Sequence, residues 1–470
     1  MELLLTLERG PTAPPFHVQL EQQLRSGIRD GLLAPGTRLP ATRELARELS
    51  VSRGVAVEAY AQLTAEGYLT TRRGAGTVVA DASRPAEPPR ELPFPRSIPE
   101  DFHPGMPDLA GFPRAVWMRS LRAVTRDAPD VAFGYADPAG TPELRMALAP
   151  YLARARGVAT DAERLLITSG LTQGLALIAR ALHARGVRRI VVEDPGFYMH
   201  RAMLVHHGLE PVGVPVDADG LRTDVLAGIE AGAALVTPAH QMPLGGVLSP
   251  SRRAALLAWA ERNDAIVIED DYDAEYRYDR GPVGALQGLA PERVAYAGCA
   301  SKVLAPSLRL GWLVLPSALL HEVRMEKALD DLGTSALEQL ALADFLERGE
   351  LDRHLRRMRP RYRARRDALV AALAQRLPQW RIGGVAAGLG LLALMPLEDD
   401  EAAFLTHAAD AGMRLHGLSW FQLTPGPPGL VLGFGGSSEP AIASGIARLA
   451  EIYDRFVAGR AASEPRAATR

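Results

Sequence analysis

The run YAGCASKVLAPSLRLGWLVL, residues 296–315, decides how the rest of the chain reads. Its centre is Lys302, and the composition singles that residue out before any motif is considered. Lysine occurs only at Lys302 and Lys327, so 51 of the 53 basic residues are arginine. A lysine kept in such a background points to a task a guanidinium cannot perform. The leading one is Schiff-base formation, since only an amine becomes a neutral nucleophile near neutral pH.

The surroundings of Lys302 sharpen this. A predicted strand, residues 293–297, leads into the small residues Gly298, Cys299, Ala300 and Ser301, and Arg309 follows seven positions later, ahead of another apolar run. An amine, a hydroxyl and a guanidinium in one compact turn suit a phosphorylated carbonyl cofactor: the amine condenses with the aldehyde while Ser301 and Arg309 hold the phosphate. Pyridoxal phosphate has that chemistry.

Composition sets outer bounds. A chain of 470 residues, 47% apolar and 23% charged, has room for two or three domains of ordinary globular make-up. A net charge of −2 means that any nucleic-acid surface must be local. The single cysteine, Cys299, excludes an intrachain disulfide framework and fits a reducing compartment. The start, MELLLTLERG, has no basic region ahead of its apolar run, and no apolar run approaches the ~18 residues of a membrane span. The expected location is the cytoplasm, with no membrane partner.

Toward the N-terminus the period is helical: Phe16, Leu20, Leu24 and Ile28 recur every four residues until Gly31. A short helix is expected over residues 42–49. A third runs from Ser52, placed to cap it, to about Glu66, with Val55, Ala59 and Leu63 as its buried stripe. Two strands then flank Arg72-Arg73-Gly74-Ala75-Gly76, a hairpin with a basic tip. This order is that of a winged helix-turn-helix, whose third helix enters the major groove. From Arg38 to Arg73 there are six arginines against four glutamates, a small excess that carries little by itself.

Residues 81–101 are proline-rich and aperiodic, and read as a linker. Beyond them apolar strands alternate with helices, which argues for an α/β fold with a mostly parallel sheet and ligands at the strands' C-terminal ends. The chemically rich residues fall at those ends: Ser169-Gly170, Phe197 after Glu193-Asp194-Pro195-Gly196, His240-Gln241-Met242, Asp270-Asp271-Tyr272, and Lys302. Ser169-Gly170 opens a helix and so offers backbone N–H groups to an anion. The acidic run from Glu269 to Glu275 lacks calcium-loop spacing, and no metal is expected.

Residues 31–80, GLLAPGTRLPATRELARELSVSRGVAVEAYAQLTAEGYLTTRRGAGTVVA, resemble the GntR-type DNA-binding domain along their whole length. Together with FGYADPAGTPELR, ITSG, EDPGF, TPAHQMPLGG, IEDDYDAEYRY and SKVLAPSLRLGW, the chain resembles the MocR subfamily of GntR-type bacterial regulators over about residues 10–455. The resemblance implies a winged helix-turn-helix at residues 10–80, the linker at 81–101, and a large fold-type I aminotransferase-like domain at 102–330. A small α/β domain at 331–457 and a disordered tail at 458–470 complete the division. For the site it implies Lys302 as Schiff-base lysine, Asp270 on the pyridinium nitrogen and Tyr272 on the ring phenolate. Phe197 would stack on the ring, with Ser169, Gly170, Ser301 and Arg309 around the phosphate. For DNA it implies Arg43, Ser52, Arg53 and Gly54 from the helices, and Arg73 and Gly74 from the wing.

The same resemblance implies a head-to-tail homodimer bound to double-stranded DNA and responsive to an amine, an amino acid or pyridoxal phosphate itself. The sequence departs from the family's pattern at several places. Ala41 and Val57 replace a common serine cap and arginine, Cys299 replaces a hydroxyl residue, and Leu171 and Thr172 replace polar residues. Val431 stands where aminotransferases, and many regulators of this type, carry the arginine that grips a substrate carboxylate, so ordinary α-amino acids are expected to bind poorly and turn over negligibly, as in a regulator rather than an active aminotransferase. Arg114 or Arg201 would be the arginines able to compensate.

Overall fold

A computed structural model describes residues 5–10, 13–72, 76–81, 102–278, 281 and 283–463. The chain divides into two compact units, Met1–Arg96 and Ser97–Arg470.

In the first unit, helices α1 (Phe16–Arg29), α2 (Thr42–Glu48) and α3 (Arg53–Ala65) precede strands β1 (Leu69–Arg72) and β2 (Gly76–Val79). The four-residue period of α1 puts Leu20, Leu24 and Ile28 on one face, and all three are fully buried against Leu45 of α2 and Ala59 and Leu63 of α3. Each such leucine contributes about 1.5–3 kcal/mol relative to leaving it in water. The expected stripe of α3 is shifted: Ala56, Ala59, Tyr60 and Leu63 are its buried residues, and Val55 is half-buried. Ser52 occupies the N-cap position of α3 with extended backbone, but its hydroxyl makes no capping bond. β1 and β2 pair antiparallel from Leu69↔Val79 to Arg72↔Gly76. The hairpin tip with Arg73 and Gly74 lies outside the described residues, as does most of the expected linker.

The second unit opens with α4 (Arg114–Asp127) and α5 (Pro142–Arg156), followed by β3 (Leu165–Thr168), α6 (Leu171–Ala184), β4 (Arg189–Asp194) and α7 (Tyr198–His206). Next come β5 (Glu210–Asp217), β6 (Gly220–Leu221), β7 (Ala233–Val236), α8 (Pro250–Arg262) and β8 (Ile266–Asp270). The sheet is completed by β9 (Val294–Cys299), the single turn α9 (Ala300–Val303) and β10 (Gly311–Val314). Its order is β3-β10-β9-β8-β7-β4-β5-β6. β9, β8, β7, β4 and β5 run parallel, while β10 is antiparallel to both β3 and β9. Their near-continuous apolar sequences follow from burial on both faces: one side of the sheet packs with Leu177, Ile178 and Leu204, the other with Leu256 and Trp259.

Helices α10 (Ser317–Asp331), α11 (Ala336–Glu347) and the long α12 (Glu350–Arg376) lead to the three-stranded sheet β11 (Arg381–Gly383), β12 (Gly390–Leu394) and β13 (Gly429–Gly433). α13 (Glu401–Asp410) lies between β12 and β13, and α14 (Glu439–Ser463) closes the chain. α11, which falls beyond residue 330, packs against α4 and α5. The tail expected to be disordered from residue 458 is corrected in part: α14 continues to Ser463. Arg460 explains the extension, donating to the Glu398 carbonyl and resting over the Phe456 ring. No helix among the described residues is long and apolar enough to cross a membrane.

Candidate functional site

A cavity of about 390 Å³ opens at the C-terminal ends of the parallel strands. This is where a parallel sheet exposes its chain turns and hence its free polar groups. Lys302, Asp270, Tyr272, Phe197, Ser301 and Arg309 all line it.

Lys302 sits in α9, a turn made possible by small residues. A Cβ at Gly298 would collide with the indole of Trp312 at 2.5 Å. Across the cavity wall the 102–106 loop passes so close that a Cβ at Gly105, where φ is +72°, would lie 3.0 Å from the Lys302 amine. Glycine is therefore needed there on both conformational and steric grounds.

β8 ends in Glu269 and Asp270, whose side chains alternate across the sheet. Glu269 turns away and accepts from the Leu286 and Gln287 backbone N–H groups at 2.8 and 2.9 Å. Asp270 turns into the cavity, buried to 4% exposure, and its Oδ1 has no hydrogen-bond partner. Burial first, then the charges of Asp271, Asp273 and Glu193, push its pKa well above the usual carboxylate range, with Lys302 opposing. His200 Nε2 stands 3.7 Å from Asp270 Oδ2. The contact is not a true ion pair, because burial, followed by Arg201, lowers His200 to about 4 and leaves its ring neutral. An orphaned acceptor of this kind fits a cationic N–H donor in the cavity.

The phenol of Tyr272 meets His240 Nδ1 at 3.0 Å, and the same nitrogen lies 2.9 Å from Asp273 Oδ1. Phe197 is 36% exposed, lines the cavity, and meets His200 in a T-shaped contact at 4.9 Å, with Tyr198 and Phe421 tilted against it. Cys299 also lines the wall, and burial raises its thiol pKa.

The expected phosphate end is built more narrowly than the motif implies. Arg309, held at φ +50°, donates to the Ser169 carbonyl at 2.7 Å, and a Cβ on Gly170 would meet its guanidinium at 2.6 Å. Ser169 itself does not line the cavity; its N–H is taken by Gln173 at 2.7 Å and its hydroxyl faces Asp331 and Thr334. Leu171 and Thr172, at the start of α6, line the cavity beside Ser301 and Arg309.

Val431 lies in β13, is 2% exposed, and forms an apolar wall with Leu392, Leu418 and Phe421. Arg309 is the arginine that lines the cavity among the described residues. Arg201 is spent on the carbonyls of Gly196, Trp420 and Phe421, and Arg114 points to the Leu109 carbonyl. Motif reading overlooked His103, Gly105 and His416. They come from stretches with no periodicity and no strand end, and only the fold brings them to the cavity.

In the first unit, Arg43, Ser52, Arg53 and Gly54 are all exposed, at α2 and at the start of α3. Val57 is also exposed, at 44%.

Fold and site together define a winged helix-turn-helix unit joined to an aminotransferase-type unit, and the comparisons agree. Residues 17–79 match the model for "Bacterial regulatory proteins, gntR family", and residues 108–411 match "Aminotransferase class I and II". The chain belongs to the MocR type of the gntR family of transcriptional regulators, with DNA binding through the gntR domain. It is 35% identical to the pyridoxine biosynthesis transcriptional regulator PdxR of Corynebacterium glutamicum, covering 92% of this chain and 94% of that one. It is likewise 35% identical to the probable rhizopine catabolism regulatory protein MocR of Rhizobium meliloti, covering 96% of both. Among solved structures, the kynurenine aminotransferase of Pyrococcus horikoshii, in complex with PMP, superposes with a TM-score of 0.70 at 27% identity, over 76% of this chain and 91% of that one. Relatives of the aminotransferase class I and II fold depend on pyridoxal phosphate.

Proposed function

We propose that this regulator holds pyridoxal 5'-phosphate at Lys302 and converts the arrival of a small molecule in the same cavity into a change in DNA affinity. The observation that carries the reading is the pairing, in one cavity, of the Lys302 amine with the buried, unpartnered Asp270 Oδ1. When bound, the cofactor supplies an electrophilic aldehyde carbon and an electron-withdrawing ring.

The chain's own groups have distinct tasks. Lys302 contributes the amine nucleophile, and the 102–106 loop closes over it. Asp270 accepts the ring N–H, and that cation, once present, opposes the burial and the neighbouring carboxylates that raise its pKa. Tyr272 donates toward the phenolate position, backed by His240 and Asp273. Phe197, on the cavity lining, stacks on the cofactor ring. Ser301, Arg309 and the N-terminus of α6 take the phosphate, with Gly170 letting the guanidinium approach. Val431 leaves an effector's carboxylate without a guanidinium clamp, so orientation for transamination is weak and turnover is negligible.

The protein acts in the cytoplasm as a head-to-tail homodimer on double-stranded DNA, with Arg43, Ser52, Arg53, Gly54, Arg73 and Gly74 on the nucleic acid. A second reading, a sensor of pyridoxal phosphate itself, is favoured by the relative named for pyridoxine biosynthesis. A relative of equal identity is named for rhizopine catabolism, so kinship alone does not choose the effector. Borohydride reduction followed by peptide mapping tests the cofactor assignment. A pyridoxyl group on Lys302 supports it, and one on another residue, or none, overturns it.

A further inference from the structure

We propose that His103 and His416 form an acid-recognising subsite of the effector cavity, taking the carboxylate of a ligand whose apolar chain lies along Val431. The proposal rests on reading this cavity as the effector site and specifies the ligand class that site admits.

Both imidazoles line the cavity, with ring centroids 4.8 Å apart at an interplanar angle of 70°. Two backbone bonds fix them to the strand that carries Val431. The Val431 N–H donates to the His416 carbonyl at 2.8 Å, and the Gly433 N–H donates to Phe102 O at 2.7 Å, beside His103. His103 also stands two residues from Gly105, the residue that abuts the Lys302 amine. The pair therefore shares the cavity with Lys302 and Val431, carried on segments bonded to the Val431 strand and, through Gly105, abutting the lysine.

The nitrogens are free to act. His103 Nδ1 lies 2.9 Å from the Pro104 carbonyl, an acceptor, so that nitrogen carries its proton and Nε2 is left for a ligand. The His416 ring makes no hydrogen bond to a described residue; its contacts are ring contacts with His103 and Trp420.

Before a ligand arrives the His416 ring is neutral, since burial and then His103 lower it to about 4, so an acid must bring its proton with it or draw one from solvent. Among the described residues no carboxylate shifts His416; Glu401, beside Gly417, is taken up by Ser419 and the Gly429 N–H. The cavity's acids are committed elsewhere, Asp273 to His240 and Asp270 to the cofactor end. The other titratable groups on the lining are Lys302, Arg309, Tyr272, Tyr198, His200 and Cys299. A ligand ammonium would find no counter-charge beside the pair. A carboxylate draws a proton onto it and gains a charge-assisted hydrogen bond. A metal is a poor alternative, since no group of three or more His, Cys, Asp or Glu side chains is arranged for one among the described residues. An arginine clamp would hold a carboxylate equally at every physiological pH, whereas an imidazole pair holds it only with a proton.

The test uses hexanoate and the neutral hexanamide, neither of which has an amine to react with the cofactor. The full chain, as purified with its cofactor, is titrated calorimetrically at about pH 6 and about pH 8 in buffers of different ionisation enthalpy. Hexanoate is expected to bind with proton uptake and to lose up to about tenfold in affinity per pH unit between about pH 6 and about pH 8, where the His416 ring is neutral before binding. Hexanamide should show neither effect, and His416→Gln should abolish the uptake without altering the cofactor spectrum. Hexanoate affinity independent of pH, no hexanoate binding at either pH, or uptake undiminished in both His416→Gln and His103→Gln would each overturn the proposal. Failure of the cofactor reading is separately visible, because it removes the visible absorption and the borohydride-trapped group before any ligand is added.

Discussion

The two lysines show how far residue-scale reading carries. Scarcity marked Lys302 and Lys327 alike, and both sit where a guanidinium would not serve, for different reasons. Lys327 is fully buried, and its ammonium donates to Gln173, Asp331 and Thr334 at 2.8, 2.7 and 2.8 Å. Three acceptors around one point suit a compact tetrahedral donor rather than a planar fork. Lys327→Met should cost about 1–3 kcal/mol in chemical denaturation, by leaving those partners unsatisfied, and should not affect the cofactor spectrum. Lys302→Arg should do the reverse, abolishing the covalent chromophore with little change in stability. Glu193 gives a pH-dependent prediction. Buried beside Thr237 and Gln241, it is raised by burial to about 7. Its folded pKa lies above its unfolded value of 4.5, so its contribution is fully present below 4.5 and lost as pH rises through about 7. Glutamine copies the protonated acid, so the melting temperature of Glu193→Gln relative to the parent should climb across that window. A flat difference would refute the assignment.

At the scale of elements, the strand ends were legible because buried parallel strands read as short apolar runs punctuated by polar residues. The acidic run after β8 shows what was not legible. Asp271 forms an ion pair with Arg156, 2.6 Å apart with both side chains 1% exposed, and accepts from Tyr296 at 2.7 Å. Arg156 lies 115 residues away in sequence, and nothing local announces the pairing. Asp271→Asn should destabilise by roughly 3–5 kcal/mol in urea unfolding, since it leaves a buried guanidinium uncompensated. β10, inserted antiparallel between β3 and β9, was read only as an apolar run, because direction is a property of the sheet and not of the strand. The cap expected at Ser52 fails differently: the position is right, but the hydroxyl remains exposed and unbonded, available for another partner. Arg53, the next residue, should contribute about 1–3 kcal/mol to DNA binding, read as weakened and less sequence-specific binding of Arg53→Ala in fluorescence anisotropy.

At the scale of the molecule, the chain is two units with separate cores, and the sequence showed the division as a change from four-residue periodicity to alternating strands and helices across a proline-rich stretch. Val431 was visible as a departure from the family's pattern, but the cavity walls contributed by residues 103–105, 383–385 and 416–421 were not, because folding assembles them from three distant segments. Separate cores mean that Arg53→Ala should leave the cofactor spectrum intact, and that Lys302→Ala should leave the first unit folded. In the proposed function the aminotransferase-type unit serves as a sensor for the DNA-binding one. The most direct test of that role is the DNA affinity of the full, cofactor-bound chain on the region upstream of its own gene. A panel of amines, amino acids and pyridoxal phosphate would be added, with keto-acid formation followed in the same samples. The account predicts that at least one compound shifts DNA affinity, on the order of 5–150-fold, without steady turnover. Rapid, sustained turnover of a common α-amino acid with DNA affinity unchanged would contradict it.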